Sequence, residues 1–170
     1  MGLPTPNKIK NFQSLYSLQV RYLLSTENQI VKGLQSMIEQ ATDTQLKQAF
    51  QSHLQETEIH VTRLQDVLAR MNDGDVDNKK DPITAALVGS GVNIVKESEA
   101  GAVRDAGLIA AARKIEHYEI TSYGRARDWA KLLSRNEDAA LLQKTLDEEK
   151  HADELLSRIS ERANSSAVAA

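Results

Sequence analysis

The sequence predicts an all-α fold, a bundle of four long helices in a single domain of 170 residues. Hydrophobic residues make up 41% of the chain and charged residues 26%, which is typical of a globular protein rather than a disordered one. The three prolines stand at positions 4, 6 and 82, so long proline-free stretches rich in helix-forming residues remain. In those stretches apolar residues recur at steps of three and four, which is the helical period.

The four predicted helices follow from this periodicity and from the capping residues beside it. The first covers about residues 8–41, and the second covers about 43–71, with Asp43 as its N-cap. The third covers about residues 102–133 and the fourth about 136–162. Short turns join the first helix to the second and the third to the fourth, so each pair is expected to form an antiparallel hairpin.

A long crossover, residues 72–101, joins the two predicted hairpins. It opens with the polar stretch NDGDVDNKKDP and continues as a short extra helix that begins at Pro82, with Asp81 as its cap. A single long crossover between two hairpins is the connectivity of ferritin-like four-helix bundles. The alternative is an ordinary up-down bundle with an inserted loop. The tail, residues 163–170, is expected to be frayed.

Composition excludes several classes of function. The net charge of −3 argues against a nucleic-acid binder, because such proteins usually carry a basic face. Without cysteine there is no disulfide scaffold, thiolate zinc site or iron–sulfur cluster, and a transition metal must be held by His, Asp and Glu. The first residues have no apolar signal core, and no stretch of about 18 apolar residues could span a membrane. A cytoplasmic location is therefore expected.

Each long helix carries acidic residues on the face that its apolar residues mark as buried. Burying one unpaired carboxylate costs several kcal/mol, and five of them would exceed a net stability of about 5–15 kcal/mol. No Lys or Arg shares the centre of these faces, so bound cations are the better compensation. We therefore predict two metal ions between the helices. The predicted ligands are Glu27, Glu56, His60, Glu116, Glu119, Glu148 and His151.

The spacing of these residues matches the pattern of di-iron and di-manganese bundles in most positions. That pattern takes one Glu from each of two helices and a Glu-x-x-His from each of the other two. Glu148-x-x-His151 fits it, and Glu27 serves as a lone Glu. Glu56 and His60 stand four residues apart instead of three, which a local π-bulge in that helix would correct.

Three further polar residues are expected to support the ligands: His53, Asp105 and Tyr123. Each also has an ordinary interpretation, because His53 could lie at the surface, Asp105 could cap a helix and Tyr123 could simply fill the core. A lone Glu-x-x-His is weak evidence for a metal site. The prediction therefore depends on acids that recur on the inward face of four separate segments.

Three stretches of the chain resemble the YciE/YciF family of bacterial ferritin-like proteins: LYSLQVRYLLSTENQIVKGLQSM, HLQETEIHVTRLQ and RDAGLIAAARKIEHYEITSYG. The resemblance covers about residues 12–160. It implies a rubrerythrin-like bundle, a role in bacterial stress responses and a homodimer. The wider rubrerythrin comparison implies the same seven metal ligands, although the Glu56–His60 spacing departs from it. The cysteine-ligated iron domain of rubrerythrin has no counterpart here.

These observations lead to three hypotheses for the function. The first is a carboxylate-bridged dinuclear centre, di-iron or with Mn or Zn instead, that acts on peroxide or oxygen as a peroxidase or ferroxidase. Its electrons would come from an external donor. The second is a metal-binding or iron-sequestering protein without turnover, and the third is a structural stress protein with an empty site. No fifth helix is predicted in the tail, so a dimer is expected rather than a hollow cage.

Overall fold

The computed structural model describes residues 9–71 and 80–170, and within these ranges it is entirely helical. The five helices are α1 (Phe12–Gln40), α2 (Thr44–Ala69), α3 (Pro82–Glu97), α4 (Ala102–Leu132) and α5 (Asn136–Val168). The prediction of an all-α chain with a short helix in the crossover is confirmed. Residues 1–8 and the start of the crossover, residues 72–79, lie outside the described residues. None of the described helices combines the length and hydropathy needed to cross a membrane.

The four long helices pack in a closed ring. Helix α1 contacts α2 and α4, and α5 contacts the same two helices from the other side. Helix α3 contacts α1 and α4 and so lies across the outside of the ring. Its approach to α4 is close at Gly107, where an added Cβ would stand 2.6 Å from Ile94 Cγ2. A larger residue than glycine at this position would force Ile94 or the helix that carries it to move.

The interior of the ring contains two apolar clusters with a polar layer between them. One cluster includes Ile30, Phe50 and Leu108. The other includes Tyr16 and Leu64. Along every long helix, the residues of one cluster are separated from those of the other by a short stretch that carries buried acidic or histidine side chains. Apolar side chains therefore close the polar layer off from both ends of the bundle.

Capping residues determine where two of the helices begin, and packing against the bundle determines where a third helix ends. Asn11 caps α1, because its side chain accepts a hydrogen bond from the Ser14 amide at 2.8 Å. Asp43 caps α2 in the same way, as predicted. Helix α5 continues to Val168, past the end that the sequence predicted near residue 162. Ala163 is buried in the first cluster, and this packing extends the helix past the predicted end.

Asp81 fixes the crossover helix to the bundle. It caps α3 as predicted, accepting hydrogen bonds from the Thr84 amide at 3.2 Å and the Thr84 hydroxyl at 2.6 Å. The same buried carboxylate accepts from Thr26 of α1 at 3.2 Å and from Tyr118 of α4 at 2.8 Å. Burial opposes ionisation of Asp81, but these hydrogen bonds outweigh it and lower its pKa. One side chain thus links three helices.

Asp81→Ala should lower the free energy of unfolding by about 2 to 4 kcal/mol, since it removes a cap and leaves buried hydroxyls without an acceptor. Urea unfolding followed by circular dichroism measures this. Asp43→Ala is the matched control, because Asp43 also caps a helix but is partly exposed and should cost only about 1 kcal/mol. Equal losses in the two variants would contradict the linking role of Asp81.

Candidate metal centre

Six acidic and histidine side chains form the polar layer between the two apolar clusters. Glu27, His60, Glu119 and Glu149 have no exposed surface, Glu116 is 2% exposed and His53 is 6% exposed. They come from all four long helices: Glu27 from α1, the histidines from α2, Glu116 and Glu119 from α4, and Glu149 from α5. The expected convergence of carboxylates from four helices is therefore present, although its members differ from the predicted set.

The layer divides into two groups that share Glu149. In the first group, His53, Glu116, Glu119 and Glu149 each offer a donor atom, and these atoms all lie within 4.8 Å of one another. In the second, donors of Glu27, His60 and Glu149 lie within the same distance. Donors at about 2.0–2.2 Å from one ion are at most about 4.4 Å apart, so small movements would bring each group to an ion. A carboxylate common to both groups is placed to bridge two ions.

The carboxylate of Glu148, on the solvent side of His60, fixes the orientation of the imidazole ring. Its Nε2 lies 3.0 Å from Glu148 Oε2, and Arg63 in turn donates two hydrogen bonds to the Glu148 carboxylate. The other ring nitrogen, Nδ1, lies 2.9 Å from Glu149 Oε1 without hydrogen-bond geometry and 3.5 Å from Glu27 Oε1. A proton on Nε2 leaves Nδ1 free to bind an ion, as in the carboxylate–histidine–metal arrangement of known sites.

His53 also lies between carboxylates in the other group, but neither of its ring nitrogens makes a hydrogen bond to the described residues. Its Nδ1 lies 3.7 Å from Glu56 Oε2, and its Nε2 lies 3.3 Å from Glu116 Oε1 and 3.8 Å from Glu149 Oε2. The side chain of Glu56 is 39% exposed, so this acid stands on the solvent side of the ring. A cavity of about 90 Å³ between α2 and α5 opens at this point, and exposed His151 is part of its lining.

The buried carboxylates have too few hydrogen-bond donors around them. Of the eight oxygens of Glu27, Glu116, Glu119 and Glu149, six are buried without a hydrogen-bond partner among the described residues. The ion pairs recorded for three of these acids are all with His53 or His60. Four carboxylates carry four negative charges, which two divalent ions would balance. The donor set therefore fits a pair of metal ions held by oxygen and imidazole nitrogen.

The protonation of the layer reflects the same excess of buried acid. Burial, and then the charges of Glu149 and Glu27, raise the pKa of Glu119 well above its usual value. Burial also raises the pKa of Glu149, to about 7, although the neighbouring imidazoles of His60 and His53 oppose the shift. For His60, burial lowers the pKa, but Glu149 and Glu27 outweigh it and raise the pKa to about 10. Without metal the cluster retains protons that ions would displace.

The structure corrects the predicted face of α5. Glu149 points into the bundle, whereas Glu148 is half-buried at the rim and His151 is exposed. Arg63 neutralises Glu148 and so removes the need for a cation there. The signal for Glu149 was present in the sequence, because the buried Leu142 and Leu156 stand seven residues before and after it, on the same face.

Helix α2 also departs from the predicted geometry. It is a continuous α-helix over Thr44–Ala69, so the π-bulge suggested to bring Glu56 and His60 into register is absent from it. The inward pair is instead His53 and His60, seven residues apart on one face. His53, predicted as a supporting or surface residue, thus lies with the metal-binding groups, and Glu56 lies outside them.

The two other supporting residues have different positions. Tyr123 is buried and its hydroxyl donates to Glu27, so it lies beside the cluster. Burial and the charge of Glu27 raise the pKa of Tyr123, so its hydroxyl keeps its proton at neutral pH. Asp105 lies away from the cluster. It accepts hydrogen bonds from the Thr42 and Asp43 amides, both at 2.8 Å, and so secures the turn between α1 and α2.

Similar proteins support this architecture. The chain is 36% identical to Protein YciF of Escherichia coli (strain K12) over 129 residues, which are 76% of this chain and 78% of that protein. The crystal structure of the E. coli stress protein YciF superimposes with a TM-score of 0.88 at 30% identity, covering 92% of this chain and 99% of that one. YcfI of Rhodopseudomonas palustris, which has been proposed to be a structural protein, superimposes with a TM-score of 0.85 at 32% identity, covering 90% of this chain and 97% of that one.

A Xanthomonas campestris protein shares the fold alone, with a TM-score of 0.77 at 17% identity, covering 93% of this chain and 97% of that one. The family model described as "Domain of unknown function (DUF892)" matches residues 11–169, which is nearly the whole chain. The resemblance carried by the sequence motifs of α1, α2 and α4 is thereby confirmed. The chain therefore belongs to the DUF892 family, and it is similar in sequence and fold to the stress protein YciF.

Proposed function

We propose that this chain is a ferritin-like, rubrerythrin-like protein that holds two metal ions, iron in the first place, and acts on peroxide or oxygen under stress. The observation that carries the proposal is the set of six buried carboxylate oxygens without hydrogen-bond partners among the described residues. Leaving such charges uncompensated would cost several kcal/mol each, against a net stability of about 5–15 kcal/mol. Iron accepts carboxylate and imidazole ligands, and Mn or Zn would also fit this donor set.

The residues around the cluster have separate tasks in this proposal. Glu149 belongs to both groups and would serve both ions, and His53 and His60 would each supply an imidazole nitrogen to one group. Glu148, itself fixed by Arg63, orients His60. Tyr123 holds Glu27 through a hydrogen bond and keeps a proton near the centre. Apolar side chains close the cluster off from water at both ends of the bundle.

Bound redox-active ions supply the electron transfer that peroxide reduction needs. Turning one peroxide into two waters takes two electrons and two protons, and the electrons come from a donor outside the chain. Elemental analysis of the chain purified without chelators, with visible spectra before and after peroxide, tests the proposal. We expect about two iron ions per chain and a spectrum that changes with peroxide.

One observation favours a second function, a structural role: the similar protein YcfI has been proposed to be a structural protein. In that case the cluster would be empty in the cell and its acids partly protonated. A purified chain without iron or manganese, whose melting temperature does not respond to added metal, would contradict the metal proposal and support this one. Metal bound without any response to peroxide would point instead to sequestration.

The assembly proposed for the chain is a homodimer. Light scattering on the full chain should give a mass near twice the 18.8 kDa of one chain. A mass of many chains would contradict the dimer and favour a cage suited to mineral storage.

A further inference from the structure

A second cavity lies between the crossover helix and the bundle. It encloses about 180 Å³ between α3, α1 and α4. Its inner wall consists of buried apolar side chains that include Ile30, Leu108 and Ala112, and its outer edge includes exposed Ser36 and Lys96. The cavity therefore reaches the surface at its outer edge and has an apolar inner wall.

One residue connects this chamber to the metal centre. Glu116 lines the cavity and is the only ionisable buried side chain among its lining residues. It also belongs to the group that contains His53, Glu119 and Glu149. Its Oε1 lies 3.3 Å from His53 Nε2, whereas its buried Oε2 has no hydrogen-bond partner among the described residues. An acceptor without a donor thus stands at the boundary between cavity and cluster.

Small residues create the space. Gly33, Gly91, Ala111 and Ala112 all line the cavity. A Cβ added at Gly91 would meet Ala111 Cβ at 3.7 Å and Met37 Cε at 3.9 Å, which are ordinary contact distances, so the chamber has room for further atoms. A dry apolar cavity of about 150 Å³ is large enough to bind benzene or xenon. The volume here is of that size.

We propose that this cavity binds a small uncharged organic molecule with an apolar body about the size of benzene and one hydroxyl group, which donates a hydrogen bond to Glu116. The apolar wall contacts the body of the ligand, and the buried acceptor selects for the hydroxyl. An anionic ligand is disfavoured because it would lose its hydration beside an acid of the same charge. The ligand site goes beyond the proposed metal chemistry and does not require it.

Isothermal titration calorimetry on the full chain, freed of metal by chelation, tests this with benzyl alcohol, toluene and benzoate as probes. Benzyl alcohol should bind at one site, toluene at least several-fold more weakly, and benzoate not at all. Equal affinities for benzyl alcohol and toluene would overturn the contact with Glu116. Absence of binding by all three probes would overturn the site itself. Because the chain is free of metal, failure of the metal proposal does not affect the result.

Substitutions locate the binding. Ala111→Leu fills the cavity and should weaken benzyl alcohol binding by at least roughly ten-fold, while Ala110→Leu, on the exposed face of the same helix, should leave it unchanged. Gly91→Ala adds a single methyl group at ordinary contact distance and should weaken binding even if Ala111→Leu fails to fold. Undiminished binding by the folded cavity variants would overturn the assignment to this chamber.

Discussion

Glu149→Gln should lower the metal content of the purified chain from about two ions to one or none, with the apo bundle still folded. Glu149 offers a donor atom to both groups, so neutralising it removes a ligand from each. Orienting residues outside a metal site already cost 10–100-fold in affinity, and a bridging ligand should cost at least about that much. Elemental analysis and metal titration measure the loss. Apo stability should stay level or rise, because a buried acid is removed.

Two other residues of α5 provide graded controls. Glu148→Gln weakens the support of His60 without removing a ligand, so its metal affinity should fall by roughly 10–100-fold. Glu154→Gln changes an exposed acid and should have no effect. If Glu148→Gln lost metal as completely as Glu149→Gln, Glu148 would be a metal ligand, as the sequence predicted. Its role of orienting His60 from outside the centre would then be rejected.

Helical periodicity was sufficient to predict the long helices, but it left the face of α5 ambiguous. Its sequence pairs Leu141 with Leu142, Glu148 with Glu149, and Leu155 with Leu156, so two faces about 100° apart carry the same apolar and acidic pattern. In the structure Leu142, Glu149 and Leu156 are the buried members. Packing against α2 and α4 decides between the faces, and a single helix does not contain that information.

Angular position alone also fails to place residues along the bundle axis. Asp105 shares the inward face of α4 with Glu116, but eleven residues, or about 16 Å, separate them. Asp105 therefore reaches the turn at Thr42 rather than the cluster. The chemistry of the layer was predictable, since buried acids on four helices require compensation. Which acid is paired by an arginine, as Glu148 is by Arg63, depends on contacts between helices.

The stability of the metal-free chain should fall as pH rises from about 5 to 9, and added metal should reverse the trend. Glu149 has a pKa of about 7 in the folded chain against 4.5 for an ordinary Glu, and His60 has a pKa of about 10 against 6.5 for an ordinary His. In both cases the folded state holds its proton more tightly than the unfolded state. The free energy of unfolding therefore declines between pH 4.5 and about 7 through Glu149, and between 6.5 and about 10 through His60.

Metal ions compete for the same atoms as these protons, so their affinity should rise with pH. At about 1,000 times its dissociation constant a metal adds about 4.1 kcal/mol, which for a chain of this length is roughly 8–16 °C in melting temperature. Melting curves of chelated and metal-loaded protein across this range measure both trends. Asp43 and Asp81 do not interfere, because their lowered pKa values place their titration below pH 4. If the chelated chain became more stable from pH 5 to 7, Glu149 would be ionised in the folded chain without metal. The bundle would then tolerate this buried charge by itself, and the argument that it requires bound cations would fail.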